Sequence, residues 1–383
     1  MQIEKVNVYK ILLPFKDDFS ISRMQGISSN IIVVEIICDQ GRVTGYGEGL
    51  PVEFITKETP ATVVKDINLF TQKDYFPWDL KNVSQIWNFV DCLPDGKEHN
   101  TAVCALEMSL LDALAKRQGR SIIKYFSQDF FADRVCYGAT IPLADKKRII
   151  ELCELIRKME INRLRVKMSK DLKQNKDAIE TIALMFGNDY DLRLDPNSAW
   201  NRDLAFKHIP LIKKHNIKIL EEPMAKEDPD FAEFTEVIKS TGVMLMACES
   251  AASLKDVIKI VKEGCYQMIN VKLSRNGGFR RTFKVIDYLR ANKVAFQLGC
   301  SIGESGILSA AGRILCLLCG DAVYYDGSYD KYLLKKNITD NDVSFGPGGE
   351  AGPLDGPGLG VKINRQNLSF LSDSSKTVTI MRP

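Results

Sequence analysis

The sequence predicts an α/β protein, a (β/α)8-type barrel that follows a smaller α+β domain. From about Val135 onward, short apolar runs alternate with amphipathic helical segments, and ionisable residues stand at the carboxyl ends of the runs. The first third of the chain lacks this alternation. An open doubly wound sheet would alternate in a similar way, but barrel enzymes carry their chemistry at the carboxyl ends of the strands. The position of the ionisable residues therefore favours the barrel.

Eight apolar runs are the predicted barrel strands, and segments such as 176–185, 254–263 and 281–292 are predicted helices between them. In chain order, barrel strands one to eight are residues 135–141, 163–168, 191–195, 217–220, 243–247, 268–273, 294–298 and 322–325.

The first third contains two β-rich runs, 6–12 and 31–38, separated by a polar stretch, 15–29, that indicates a flexible loop. A helix is predicted to begin near residues 59–60. A second helix is predicted over residues 102–118, where apolar residues recur at helical spacing.

The composition excludes several classes of protein. Lys and Arg number 52 against 49 Asp and Glu, so the formal charge is only +3 and no basic excess indicates a nucleic-acid partner. The longest apolar stretches, such as 243–247, are too short to cross a membrane, and the N-terminus lacks the apolar core of a signal peptide. Ten cysteines without a framework spacing indicate reduced thiols. These features predict a cytoplasmic protein that binds neither nucleic acid nor a membrane.

Cationic residues stand at the ends of two predicted strands. Strand two ends in Arg165-Val166-Lys167, in which Arg165 and Lys167 face the same side, and strand six carries Lys272. Two lysines on opposite flanks of a site suit acid–base chemistry on both faces of a bound substrate. Arg165, Lys167 and Lys272 are therefore the predicted catalytic groups.

Acidic residues end the strands between these cations. Asp195 ends strand three, Glu221 follows strand four, and Glu249 follows strand five. Carboxylate oxygens on rigid strand ends suit Mg²⁺, a hard cation that keeps several waters and needs few carboxylates. We therefore predict Asp195, Glu221 and Glu249 as metal ligands.

The strand ends also carry short motifs: Leu164-Arg165-Val166-Lys167, Leu194-Asp195-Pro196-Asn197, Glu221-Glu222-Pro223, Asn270-Val271-Lys272-Leu273 before Gly277-Gly278, and Gly299-Cys300 before Glu304-Ser305. Together they resemble the enolase superfamily, in particular its muconate-lactonizing and dipeptide-epimerase branch, and the resemblance covers nearly the whole chain. It implies a homo-oligomer and a (β/α)7β barrel over residues 126–345. It also implies a capping domain over 1–125, with specificity loops at 19–26 and 50–56, and a C-terminal segment, 346–383, that returns to the capping domain.

The resemblance implies a shared half-reaction. A Mg²⁺ ion holds the carboxylate of a small-molecule substrate, a lysine removes the proton α to it, and the ion and the lysines stabilise the enediolate. Lys167 and Lys272 stand at the positions of the two catalytic lysines. The residues expected to contact the substrate are Arg23 in the first specificity loop, Asn197, Cys300, Glu304, Asp326 and Ser328.

Three positions depart from the pattern of this branch. Arg165 replaces the first lysine of Lys-x-Lys and keeps its charge. Cys248 replaces the aspartate that is the third metal ligand, so that either Glu249 ligates instead, or Mg²⁺ binds weakly, or none binds. On strand eight, Asp326 and Ser328 keep only one of the two carboxylates that bind a substrate ammonium in dipeptide epimerases.

Our leading hypothesis is an isomerase that abstracts the proton α to a carboxylate, a racemase or epimerase of an amino-acid derivative or dipeptide. A muconate-type cycloisomerase or an o-succinylbenzoate-type synthase needs only one lysine as base and is the alternative enzyme. A catalytically degenerate barrel that binds a ligand is the alternative of another class. The histidine-base branch of the superfamily is disfavoured, because strand seven contains no histidine and the only three, His99, His208 and His215, fall outside the strand ends.

Overall fold

The N-terminal part of the protein is built on an antiparallel sheet. The computed structural model describes residues 1–21, 24–373 and 377–383, without side chains for residues 17–21, 24 and 25. Three strands, β1 (Ile3–Ile21), β2 (Met24–Cys38) and β3 (Val43–Gly49), are adjacent in the sheet. The alternation of apolar and polar residues along β1 buries Val6 and Val8 completely, as expected of a sheet with one covered face.

Residues 15–21 and 24–29 form the outer arms of the β1–β2 hairpin, so the prediction of a flexible loop was wrong for them. The two strands stay paired as far as Ile21 and Met24. Backbone hydrogen bonds between paired strands do not require apolar side chains, and the polar composition therefore misled the prediction. Arg23, expected to contact the substrate, lies outside the described residues.

Four helices follow the strands, and the second and the fourth of them pack on the sheet. They are α1 (Glu53–Thr56), α2 (Pro60–Thr71), α3 (Val83–Cys92) and α4 (Asn100–Arg117). Thr59 caps α2 in a reciprocal capping box with Thr62, and Pro60 occupies the first turn, where its missing N–H costs nothing. The two helices predicted near 59–60 and over 102–118 are thus confirmed.

The second part is an eight-stranded parallel sheet with strands in sequential order, which confirms the predicted barrel class. A two-residue strand, β4 (Val135–Cys136), precedes it, so the first predicted run divides in two. The barrel strands one to eight are β5 (Ala139–Ile141), β6 (Arg163–Lys167), β7 (Asp191–Asp195), β8 (Ile219–Glu221), β9 (Met244–Ala247), β10 (Met268–Lys272), β11 (Ala295–Gly299) and β12 (Tyr324–Tyr325).

The sheet curls until its first and last strands approach each other. Tyr137 bridges to Tyr325 in parallel, and the Gly138 N–H donates to the Tyr325 carbonyl at 2.8 Å. Seven helices alternate with the strands: α5 (Lys146–Lys158), α6 (Leu172–Phe186), α7 (Arg202–Lys214), α8 (Phe231–Lys239), α9 (Leu254–Glu263), α10 (Gly278–Ala291) and α11 (Gly306–Leu318). No helix in the described ranges is long and apolar enough to span a membrane.

The C-terminal residues pair with both parts. After α12 (Asp330–Leu333), β13 (Glu350–Ala351) pairs with β4 beside the barrel. Then α13 (Arg365–Leu371) leads to β14 (Val378–Met381), which pairs with β1 as the outer strand of the N-terminal sheet.

Strand β3 packs against α4 through a stripe of three glycines. They alternate along the strand and so share one face, against residues of α4 spaced four apart. A Cβ added to each glycine would lie 2.1–2.5 Å from a backbone carbonyl oxygen of α4; the pairs are Gly45 with Ser109, Gly47 with Ala105 and Gly49 with Thr101. Only glycine permits so close an approach of the strand to the helix.

We expect Gly47→Ala to destabilise the protein by about 3 kcal/mol or more, since its methyl group must displace the backbone of α4. The measurement is the midpoint of urea unfolding. Gly312→Ala in α11 is the matched control, because a Cβ there meets no atom within 4 Å. In a helix interior, that substitution should be neutral or stabilise by up to about 1 kcal/mol. Equal midpoints for the two variants would contradict the packing argument.

Carboxylates of the N-terminal part cap helices of the barrel. The N-terminus of α10 has no cap from its own side chains, and Glu107 of α4 accepts hydrogen bonds from the Phe279 and Arg280 N–H groups there. At the start of α11, Glu48 of β3 accepts from the Ser305 N–H at 2.9 Å. Burial raises the pKa of Glu107 to about 8 and that of Glu48 to about 7. These contacts join the two parts of the protein.

We expect the melting temperature to fall as the pH rises from 6 to 8.5. The folded pKa of Glu107, about 8, lies above the ordinary value of 4.5, so the folded state binds more protons between those values and loses stability as the pH increases. Glu107→Gln removes one such titration, and its melting temperature should depend less on pH than that of the wild type. A wild-type melting temperature that rises over this range would contradict the prediction.

Candidate active site

The candidate site lies at the carboxyl ends of the barrel strands. Side chains alternate between the two faces of a strand, so every second residue faces the interior of the barrel. On β6 these are Arg165 and Lys167, and on β7 they are Arg193 and Asp195. All four side chains are almost completely buried, which a charged residue tolerates only when it is paired.

Lys167 and Asp195 form the first contact of the site. The Lys167 Nζ donates to Asp195 Oδ2 at 2.5 Å and to the amide oxygen of Asn197 at 3.1 Å. The other oxygen of Asp195 accepts from the Asn197 N–H at 3.0 Å. The structure therefore brings together three of the predicted site residues and fixes the lysine ammonium between two acceptors.

Arg165 lies among three carboxylates. Its Nη1 is 3.3 Å from Glu221 Oε2 and 3.8 Å from Asp195 Oδ2, and its Nε is 3.3 Å from Asp326 Oδ2. Burial opposes ionisation of Glu221, but the charges of Arg165, Lys167 and Lys272 outweigh it and lower the pKa of this carboxyl. Burial and the neighbouring Glu221 carboxylate raise the pKa of Asp195.

Asp326 is fully engaged by protein donors. Arg193 donates to its two oxygens at 2.9 and 3.2 Å, and the Gln297 amide donates at 3.0 Å. The hydroxyl of Ser328, the other predicted substrate contact on this segment, accepts from Arg313 Nη2 at 3.1 Å. Sequence reasoning missed Arg193, although it has the same two-residue spacing from Asp195 that Arg165 has from Lys167.

Cys248 faces a guanidinium that sequence reasoning also missed. Arg275, in the turn after β10, lies with its Nη1 3.1 Å from the Cys248 sulfur. Burial raises the pKa of the Cys248 thiol well above its usual range. Glu249 turns to Asn197, whose Nδ2 donates to Glu249 Oε1 at 2.8 Å, and Glu249 Oε2 is buried without a hydrogen-bond partner.

The residues present do not fit a divalent ion held by three carboxylates. Asp195 and Glu221 are adjacent, but the third position is a thiol beside Arg275. Across the described ranges, no three His, Cys, Asp or Glu side chains converge closely enough to hold a metal ion. A soft sulfur is a poor partner for Mg²⁺, which selects oxygen ligands.

Lys272 lies opposite Lys167 across the barrel. The two residues end β10 and β6, and three strands separate them in the order of the sheet. In a closed barrel of eight strands this spacing is half of the circumference. Asp195 and Glu221 end two of the intervening strands and Cys248 directly follows the third, so the carboxylates lie between the two lysines.

Cys300 and Glu304 lie on the far side of the mouth, after β11. They line a cavity of about 20 Å³ together with Asp326 and Ser328, room for about one water molecule. Burial raises the pKa of Glu304 to about 8, and its Oε1 accepts from the Ser301 N–H at 2.5 Å. These predicted substrate contacts thus share one small pocket on the wall of the barrel.

The three histidines lie outside the strand ends, as predicted. His99 precedes α4 and contacts Asp66 at 2.7 Å, His208 is buried in α7, and His215 follows that helix. The N-terminal part contacts the turn after β10 through the Leu50 N–H, which donates to Ser274 Oγ at 3.0 Å.

Comparisons with known proteins agree with this architecture. A family model described as "Enolase C-terminal domain-like" matches residues 148–367, more than half of the chain. A hydrophobic dipeptide epimerase from Enterococcus faecalis is 24% identical over 378 residues, which is 98% of each chain. The solved structure of an N-succinyl Arg/Lys racemase from Bacillus cereus matches with a TM-score of 0.85 at 22% identity, covering 99% of this chain and 100% of that one.

The structure of a dipeptide epimerase from Cytophaga hutchinsonii, complexed with Mg and the dipeptide D-Ala-L-Val, matches with a TM-score of 0.84 at 20% identity. It covers 99% of this chain and 100% of that one. Proteins named o-succinylbenzoate synthase and chloromuconate cycloisomerase are also among the relatives. The motifs at the strand ends, the barrel and the family match together place this chain in the enolase superfamily.

Proposed function

We propose that the protein is an isomerase that removes and returns the proton α to a substrate carboxylate, a racemase or epimerase of an amino-acid derivative. The observation that carries this proposal is the placement of Lys167 and Lys272 on opposite sides of the barrel mouth. A 1,1-proton transfer inverts a carbon centre by deprotonation on one face and reprotonation on the other. Two opposed lysines supply both steps.

Two acceptors hold the side chain of Lys167 in one position. Asp195 and Asn197 both accept from its ammonium, so they fix the position of the Nζ at the end of the strand. Lys272 ends β10 next to the turn that holds Arg275. In the proposed reaction, one lysine accepts the α-proton and the other donates a proton to the opposite face.

Magnesium is bound by the dipeptide epimerase of Cytophaga hutchinsonii, to which this chain is similar. In this chain, Asp195 and Glu221 could bind the ion through oxygen, and Cys248 withholds the oxygen ligand that an aspartate would supply. Glu249, the predicted substitute, accepts from Asn197 through Oε1. We therefore propose that Mg²⁺ binds weakly or not at all, and we assign no step of the reaction to it.

The residues that follow strand eight, Asp326 and Ser328, favour a substrate that has no free ammonium group. Asp326 already pairs with Arg193 and Arg165, and Ser328 with Arg313, so the Asp326 carboxylate is already compensated and does not need a substrate cation. A buried ammonium without a partner is costly. We therefore favour N-acylated amino acids over dipeptides as substrates.

A cycloisomerase or an o-succinylbenzoate-type synthase is the second candidate. These reactions need one base and no carboxylate for an ammonium, which agrees with the engaged state of Asp326. Exchange in D₂O distinguishes the candidates, because a racemase incorporates deuterium at the α-carbon of both antipodes. No exchange with any carboxylate substrate would favour the ligand-binding barrel.

We expect Lys272→Ala to abolish α-deuterium exchange from one antipode in D₂O and to leave exchange from the other. The expected loss is about 10²- to 10⁴-fold, the usual contribution of a positioned acid or base. Proton NMR measures the exchange, and circular dichroism checks the fold. Lys170→Ala, an exposed lysine near strand β6, is the matched control and should retain both activities. Wild-type exchange from both antipodes in Lys272→Ala would rule out the two-base assignment.

We also expect N-acetylation to improve a poor substrate. For a dipeptide and its N-acetylated form with the same side chains, kcat/KM should be at least about tenfold higher for the acetylated molecule, because its neutral amide needs no buried carboxylate. Initial rates at several substrate concentrations measure this ratio. A preference for the free amine would show that Asp326 or another group still binds the ammonium.

A further inference from the structure

Of the three predicted metal ligands, Glu249 keeps one oxygen without a hydrogen-bond partner, but Asp195 and Glu221 are already compensated by the protein. Each of their four oxygens has a donor. Asp195 accepts from Lys167 and from the Asn197 N–H, and Glu221 accepts from Arg165 at 3.3 Å and from the Asn270 amide at 2.8 Å. Buried carboxylates that lack such partners require a cation, and these two do not.

An arginine of the protein lies beside residue 248, where the related enzymes have their third metal ligand. Arg275 is only 4% exposed, and its Nη1 lies 3.1 Å from the Cys248 sulfur. Its Nη2 donates to the Asn270 carbonyl, which belongs to the same strand as Lys272. A guanidinium fixed in this way repels a second cation, and a sulfur offers Mg²⁺ no hard ligand.

One donor of this guanidinium is uncommitted. Arg275 Nε is buried and has no hydrogen-bond partner, although buried donors in proteins are nearly always paired. Arg165 is a second buried guanidinium among the carboxylates, but it only keeps the charge of the first lysine of Lys-x-Lys. Arg275 is therefore the cation that lies beside the position of the missing third ligand.

We propose that this site has exchanged the divalent ion that related enzymes bind for the charge of Arg275, with Cys248 as the residue that excludes the ion. Because residue 248 is a cysteine and not an aspartate, the site has one carboxylate fewer, and Arg275 lies beside an uncharged side chain. The part of this proposal that concerns catalysis rests on the proposed function. The part that concerns metal binding does not.

The test measures metal binding without any substrate. Mn²⁺ replaces Mg²⁺ as a probe, and the electron paramagnetic resonance signal of the free ion reports how much is bound, up to about 1 mM, the range of weak sites. We expect no stoichiometric binding to the wild type. Cys248→Asp should bind one Mn²⁺ per chain at least about 100-fold more tightly, as expected when a ligand is restored.

Two further variants locate the effect. Cys248→Ser keeps a small neutral side chain and should not bind, whereas Cys248→Asp combined with Glu221→Gln should lose the binding gained. Binding of one Mn²⁺ by the wild type that Glu221→Gln abolishes would overturn the proposal, even if Cys248→Asp fails to fold. A folded Cys248→Asp variant that binds no Mn²⁺ would overturn the role of Cys248.

Activity gives a separate readout once a substrate is found. Wild-type α-deuterium exchange should be unchanged in excess chelator, while loss of exchange with the chelator and recovery with Mg²⁺ would overturn the proposal. If no carboxylate substrate exchanges at all, the proposed function fails, but the Mn²⁺ result still decides whether the ion has been replaced.

Discussion

The burial of Arg165 among three carboxylates is the constraint on which the barrel mouth depends. Asp195, Glu221 and Asp326 stand at or directly after the ends of three different strands, and each would be costly to bury without a cation. One planar guanidinium contacts all of them, since its donors diverge in a fixed plane. The directions of the three carboxylates follow from this shared contact, and the orientation of Lys167 follows from Asp195 in turn. The positions of the charged side chains at the mouth therefore depend on the whole network of charges and not on single residues.

The N-terminal part is joined to this network by one short strand. Glu48 near the end of β3 caps α11, and two residues later the Leu50 N–H contacts Ser274 in the turn that carries Arg275. The glycines that bring β3 against α4 belong to the same strand. A change in the packing of β3 would thus reach both a barrel helix and the turn beside the site. Strand β3 therefore couples the N-terminal part of the protein to the residues beside the site.

The sequence allowed the barrel, its eight strands and the placement of Lys167, Asp195, Glu221 and Lys272 at the strand ends to be predicted, because these depend on local periodicity. Arg193 and Arg275 could not be predicted in the same way. Arg193 is buried because Gln297 and Asp326, over a hundred residues later in the chain, accept its hydrogen bonds. Arg275 follows its strand in a turn, where a charged residue is normally solvated. Whether a charge in a strand or turn is buried depends on partners that adjacent sequence does not specify.

The pairing of β14 with β1 has a consequence for biosynthesis. The first strand of the protein obtains its outer neighbour only from residues 378–381, so its edge stays open while the barrel is being made. At ordinary rates of translation this interval is on the order of tens of seconds. An open edge is a template for pairing with other chains, and lysines on an edge strand oppose such pairing. Lys5 and Lys10 lie along β1, where they would protect the nascent chain until residues 378–381 leave the ribosome.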